Sequence, residues 1–234
     1  MLSKSSSEKV KRYCAKYKLH EEHGFYHHLL NDEPLPSEFK ELEAFASKKI
    51  IGLNAAKETR KAILELVDSV KGKKLSADGL TYLQTLKLYS LMTYLANSYI
   101  YCEEDLTGID TLPAPISVLL YDTAKVLEIR PVFSYTSCTF WNAALVDSEG
   151  PVDLDNLKTR INFTDNPGEE WFLTIPIYND ILGYKILKQL VLAQEEVEND
   201  NPDGVAAQLR QVLTYLGIYL LLSSNFLTKF PQNI

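Results

Sequence analysis

Helical periodicity dominates the hydrophobic pattern. Ser37 to Ile50 sets Phe39, Leu42, Phe45 and Ala46 on one face, and Ser37 is the residue type that caps a helix N-terminus. Asn54 to Val70 repeats the pattern through Ala62, Ile63, Leu66 and Val70, until Gly72 and a lysine pair interrupt it. Ser76 is placed to cap a long helix running to about Cys102. Leu80, Tyr82, Leu83, Leu86, Leu88, Tyr89, Leu91, Met92, Tyr94 and Leu95 make that helix apolar nearly all round, so it belongs in the middle of a bundle. Pro113 and Pro115 suit the first turn of the next helix, where a missing N–H costs nothing, and this helix ends near Arg130. Ser134 to Val146 reads as a short aromatic-rich helix. Asp147 to Gly168 reads as a loop, with one helical turn opened at Asp153.

Two long helices close the chain. Glu169 to Val197 is one, disturbed at Pro176, whose ring removes a backbone donor. The other starts at Asn201-Pro202 and ends before Phe230-Pro231. Its greasy stretch, Val212 to Leu222, is shorter than the ~20 apolar residues of a membrane span, so it reads as a buried helix that neighbours must cover. No alternating run of strand type stands out. The pattern predicts an all-α protein: a small N-terminal helical domain over residues 1–104 with a flexible start, then the first half of a larger helical bundle over residues 105–234.

Composition narrows the setting. Of 234 residues, 46% are hydrophobic and 24% charged, an ordinary globular balance. Residues 1–74 carry 15 Lys and Arg against 11 Asp and Glu. The remainder carries 9 against 20, which accounts for the net charge of −7. An acidic body without a basic stripe argues against nucleic acid. Cys14, Cys102 and Cys138 form no close pair, and Met1 to Tyr13 contains no apolar leader segment, so a cytoplasmic protein with no membrane partner is expected.

Five segments, in order and at matching distances, resemble the indoleamine 2,3-dioxygenase family. They are Leu19-His-Glu-Glu-His-Gly-Phe25, Leu112-Pro-Ala-Pro-Ile116, Arg130-Pro-Val-Phe-Ser-Tyr-Thr-Ser-Cys-Thr-Phe-Trp-Asn142, Pro151-Val-Asp-Leu-Asp-Asn156 and Glu170-Trp-Phe-Leu173. The third is the most specific, and the match spans roughly residues 17–230. The resemblance implies a small helical domain over a larger one with haem b between them. It also implies insertion of both atoms of O₂ across the indole C2–C3 bond of tryptophan, giving N-formylkynurenine, the opening step of tryptophan catabolism along the kynurenine pathway. Position by position, it puts Tyr135, Cys138 and Thr139 at the indole pocket and Trp171 against the substrate ring, leaving Phe172 and Trp141 to pack. Ile175 stands where many members carry a small polar residue near O₂. Asn142 is kept, but Ala143 replaces the tryptophan that commonly follows.

The same resemblance places the axial histidine, the substrate-clamping arginine and a glycine-rich loop beyond residue 234. The partners it implies are therefore an indole substrate, O₂, and either a complementary C-terminal fragment or a second copy of the chain. The residues alone agree that the later helices offer no histidine to an iron. Haem iron takes His, Cys, Met or Tyr, and all four histidines (His20, His23, His27, His28) lie near the N-terminus, with none on the later helices. Their spacing is not that of a zinc-protease motif, and exposed loop histidines are the simpler reading beside a separate metal site. Two other functions stay open: a non-catalytic helical interaction module, and an enzyme of the same scaffold acting on another indole.

Overall fold

The computed structural model describes residues 7–26, 32–56, 58–73, 75–101 and 109–228. It is all-α apart from one small hairpin. Helix α1 spans Glu8–Tyr17. A helical run then passes from a 3₁₀ turn (Ser37–Phe39) through α2 (Lys40–Ala44) and a π-helical segment (Phe45–Lys49) into α3 (Ile50–Ala56). Next come α4 (Thr59–Ser69), α5 (Tyr82–Tyr101) and α6 (Ala114–Val126). After a second π-helical turn (Thr136–Phe140), strands β1 (Ala143–Leu145) and β2 (Leu157–Thr159) pair. Helices α7 (Pro167–Glu198) and α8 (Pro202–Thr228) complete the order.

Helix α5 fills the predicted central position. Leu88, Tyr89, Leu91, Met92, Tyr94 and Leu95 are each at most 2% exposed, and the main core gathers α2 to α6 around them. Its start differs from the expectation. Ser76 instead takes the N–H of Asp78, and the cap is a reciprocal pair: Thr81 Oγ1 accepts from Gln84 N while Gln84 Oε1 accepts from Thr81 N. Ser37 is likewise inside its turn rather than capping it, since Pro36 precedes the turn without a side-chain bond.

The expected helix over Ser134–Val146 is replaced by the π-helical turn and β1. Ala143, Ala144 and Leu145 pair antiparallel with Thr159, Lys158 and Leu157. Asn142 fixes this register. Its side chain is fully buried, donating Nδ2 to the Tyr94 hydroxyl (2.9 Å) and the Ile161 carbonyl (2.8 Å) and accepting Ile161 N–H at Oδ1 (2.9 Å). The loop between the strands contains the expected turn, Leu154–Asn156, capped by Asp153. Two glutamates in the first turn of α7 hold the loop beyond β2. Glu169 accepts the N–H groups of Phe163 and Thr164, and Glu170 accepts that of Thr159.

Helix α7 runs unbroken through Pro176. Near its far end it receives α1, where Tyr184 Oη lies 3.3 Å from Cys14 Sγ and donates to the Glu21 carbonyl (2.8 Å). Between them Gly24 takes φ +61°, and a Cβ there would sit 2.6 Å from the root of the Tyr184 ring. Helix α8 folds back along α7 after the turn at Asn199–Asn201. The expectation that α8 is buried is not met within this chain. Leu213, Leu220 and Leu221 are 59–66% exposed, because α7 covers one face and no other described element covers the rest. By length and composition Pro202–Ser224 is also sufficient to cross a membrane, contrary to the shorter stretch read from the sequence. Core helices that meet the same test are mostly buried, whereas none of this window is buried among the described residues, and Asp203 and Arg210 interrupt its first half.

Replacing Asn142 with alanine strands the Tyr94 hydroxyl and both polar groups of Ile161. Each orphaned buried group costs ~1–3 kcal/mol, so N142A should lose about 3 kcal/mol or more in urea unfolding. A loss under about 1 kcal/mol would mean that water replaces the amide.

Candidate functional site

The site is built on residues 134–142. Ser134 and Ser137 open the π-helical turn by exchanging bonds: Ser137 Oγ accepts Ser134 N–H (3.0 Å) and donates to its carbonyl (2.9 Å). A turn this wide leaves carbonyls poorly paired, and short polar side chains meet them. Thr139 Oγ1 donates to the Tyr135 carbonyl at 2.5 Å, with Cys138 Sγ 3.6 Å from the same oxygen. From α5, Ser90 donates to the Ser137 carbonyl (2.7 Å). Single π-turns are rare and recur at functional sites.

The Tyr135 hydroxyl reaches across to α7 and donates to Asp180 Oδ2 at 2.8 Å. Tyr26 donates to the same oxygen at 3.2 Å. Phe140 fills the space between them, edge-on to Tyr135 and Tyr26 and stacked on Phe25 at 5.3 Å. Burial pushes the Asp180 carboxyl above its usual range, outweighing the two phenol bonds that favour its charge. Burial, reinforced by that carboxylate, raises both phenols well above the normal tyrosine value, so both are neutral donors.

The five residues implied by the resemblance divide into two kinds. Thr139 and Ile175 are enclosed, at 1% and 2% exposure, and the Thr139 hydroxyl is turned onto the backbone. Tyr135 is half exposed, and Cys138 and Trp171 are half buried. Burial raises the Cys138 thiol, which keeps it protonated. The π-helical turn packs on α7, the helix that carries Trp171 and Ile175. Among the described residues, the buried Trp171 indole N–H has no hydrogen-bond partner. Trp141 packs as expected, edge-on to Tyr89 at 5.4 Å, whereas Phe172, expected to pack, is 51% exposed. None of the five lines the hollows of about 360–530 Å³ described on the surface. Asp180 and Tyr26 escaped the sequence reading because their partners lie 45 and 154 positions away, beyond any local spacing signal.

The described residues do not fit an iron ligand for haem. No group of His, Cys, Asp and Glu among them is arranged to hold a metal. His20 and His23 stack on each other at 5.1 Å in the turn beside α1. Burial lowers His23 further, next to Lys185 and Lys188. His27 and His28 lie outside the described residues. Cys138 is a thiol, Tyr135 and Tyr26 are committed to Asp180, and Cys14 faces Tyr184.

The fold is thus a helical layer around a central apolar helix, joined through a π-helical turn to a long helix carrying an aromatic pair. The family model described as indoleamine 2,3-dioxygenase matches residues 13–221, and the chain belongs to that family. The indoleamine 2,3-dioxygenase of Saccharomyces cerevisiae is 30% identical over 102 residues, covering 42% of this chain and 22% of the yeast protein. Indoleamine 2,3-dioxygenase nanC of Aspergillus nanangensis is 25% identical over 120 residues, covering 49% of this chain and 29% of that protein. The chain thus spans less than a third of the length of either relative.

The raised carboxyl has a thermodynamic consequence. A group bound more tightly to its proton in the folded state stabilises the fold below its unfolded pKa and loses that contribution as pH rises through the folded value. The stability of the native chain relative to Asp180→Asn should therefore fall as pH rises from about 3 to 6, by under about 1 kcal/mol at this half-exposed position. Urea unfolding of both proteins across that range checks it, and a difference growing with pH would show that the phenols favour the ionised carboxylate.

Proposed function

We propose that the chain supplies the substrate-side wall of a haem dioxygenase that opens the indole C2–C3 bond of tryptophan with O₂, working in the cytosol. The observation that carries this reading is the family match across residues 13–221, which takes in the π-helical turn and the α7 segment it packs on. In this reading Tyr135, Cys138 and Trp171 face the indole, and the buried, unpartnered Trp171 N–H points to a polar atom still to be supplied. The Tyr135 phenol is held by Asp180, which fixes the ring that meets substrate. Haem b would supply the O₂ chemistry, and its iron ligand comes from polypeptide other than the residues described. The exposed apolar faces of α7 and α8 suit the helices that carry it, either on a complementary fragment or on a second copy. Free thiols at Cys14 and Cys138 agree with a reducing compartment. The enclosed Ile175 favours a second reading, in which the substrate is a different indole.

Alone, the chain should give no stoichiometric Soret band with added haemin. Co-expressed with a polypeptide carrying the family's remaining helices, it should co-purify with histidine-ligated haem and oxidise an indole. In that complex Trp171→Ala should lower kcat/KM by at least about tenfold, since losing an orienting contact costs more than its area. Trp141→Ala should instead lower Tm with little change in kcat/KM. Equal activity losses would make both tryptophans simple core, and a complex that binds no haem would leave an interaction module as the function.

A further inference from the structure

On the face of the molecule where the helical layer meets the hairpin, a hollow of about 370 Å³ is ringed by charge. Four cations border it: Lys48 from the first π-helical segment, Lys87 from α5, Lys158 from β2 and Arg160 just beyond it. Two carboxylates border it as well, and both are occupied. Asp32 pairs with Arg160 at 2.6 Å and with Lys87 at 3.5 Å, and Glu43 pairs with Lys87 at 2.8 Å. Arg160 is further fixed by donating Nε to the Ala143 carbonyl at 3.1 Å. Although burial opposes charge on Asp32, Arg160 and Lys87 outweigh it and hold that carboxyl below its usual range, so the pairs persist at neutral pH.

Lys48 and Lys158 are left over. Neither makes an ion pair or hydrogen bond among the described residues. They come from elements far apart in sequence yet line one cavity. The hollow therefore carries an excess of two positive charges in a chain whose net charge is −7. Its floor is apolar: Leu91 and Ile161 are 2% and 5% exposed. An apolar floor weakens solvent screening and strengthens attraction for an anion. The bordering hydroxyls are already engaged, Ser47 on the Glu43 carbonyl, Ser90 on that of Ser137 and Thr159 on Asn162. Recognition is thus left to two ammonium groups, which suits a compact oxyanion of charge −2. The volume is at the small end of ligand sites and exceeds that of a bare oxyanion.

We propose that this hollow binds a small organic dianion, a phosphomonoester or a dicarboxylate, through Lys48 and Lys158, with its uncharged part against Leu91 and Ile161. None of the five residues assigned to the indole pocket lines this hollow, and the proposal does not depend on haem.

The test uses the chain itself, with inorganic phosphate, phenyl phosphate and succinate as probes and sodium chloride at equal ionic strength as control. Thermal denaturation and calorimetric titration are the readouts. Phenyl phosphate or succinate should raise Tm in a saturable way that chloride does not reproduce. Whichever binds better decides between phosphate and carboxylate heads, and weaker binding of inorganic phosphate supports a role for the apolar floor. The double variant Lys48→Ala/Lys158→Ala should weaken binding at least about tenfold, as expected for losing two charge-assisted contacts. Lys125→Ala, an exposed cation on α6, should bind as the parent does. The two cavity lysines carry no structural bond, so the double variant should retain the parent Tm without ligand. Stabilisation no greater than that by chloride, or equal binding by parent and double variant, would overturn the proposal.

Discussion

The buried amide of Asn142 is the constraint on which the second half of the molecule is hung. A carboxamide in an apolar core is tolerated only when its donor and acceptor are matched. Here they are matched by groups from two separate segments, the Tyr94 hydroxyl of α5 and the backbone of Ile161. One side chain thereby sets three things at once: where the π-helical turn stops, which residues of β1 and β2 oppose each other, and how far the returning loop lies from the central helix. The backbone adds its own tie, since the Asn142 carbonyl accepts the N–H of Arg160 at 2.8 Å. Tyr94, pinned by the amide, is in turn packed by Phe133 and Phe163.

From that anchor the geometry passes to α7. Glu169 and Glu170 sit where a helix N-terminus favours negative charge, yet they spend their oxygens on the loop that Asn142 has positioned. The start of α7 therefore inherits its place from β2. About three turns further on, Asp180 collects the phenols of Tyr135 and Tyr26, closing a circuit from the π-helical turn to the helix and back. The result is a rigid aromatic wall whose polar groups face one carboxyl.

Much of the helical architecture was legible in the amino-acid pattern, because length and periodicity are strong signals. The all-apolar surface of α5 could only be a core helix, and Pro113 and Pro115 marked the start of α6. The short elements were not legible. Three-residue strands are too brief to show alternation, and β1 carries two alanines. A π-helical turn obeys no residue preference that separates it from an α-helix, so Tyr135 to Phe140 read as helix until Asn142 demanded otherwise. Caps misled where serine was present but the backbone was better served elsewhere, at Thr81 rather than Ser76. For the site, Tyr135, Cys138 and Trp171 came from a family motif. Asp180 needed three dimensions, since nothing in its own segment announces a carboxyl shared by two distant phenols. The charged hollow is similar: Lys48 and Lys158 each look like an ordinary solvated lysine in sequence, and only the fold brings them together.

The seat of α1 carries a consequence for how the molecule comes into being. Helix α1 rests on side chains made 170 and 189 positions later: Cys14 meets Tyr184, and Lys9 meets Glu198 at 2.6 Å. Ribosomes deliver chain at about 5–20 residues per second, so α1 waits on the order of ten seconds for its partner. Its apolar face, Val10 and Cys14, is open to water or to helper proteins through that interval. The turn at Gly24, which admits no side chain against Tyr184, cannot be tested for fit until α7 has arrived. Quality control of this fold is therefore deferred: α1 leaves the ribosome long before the helix on which it finds its place.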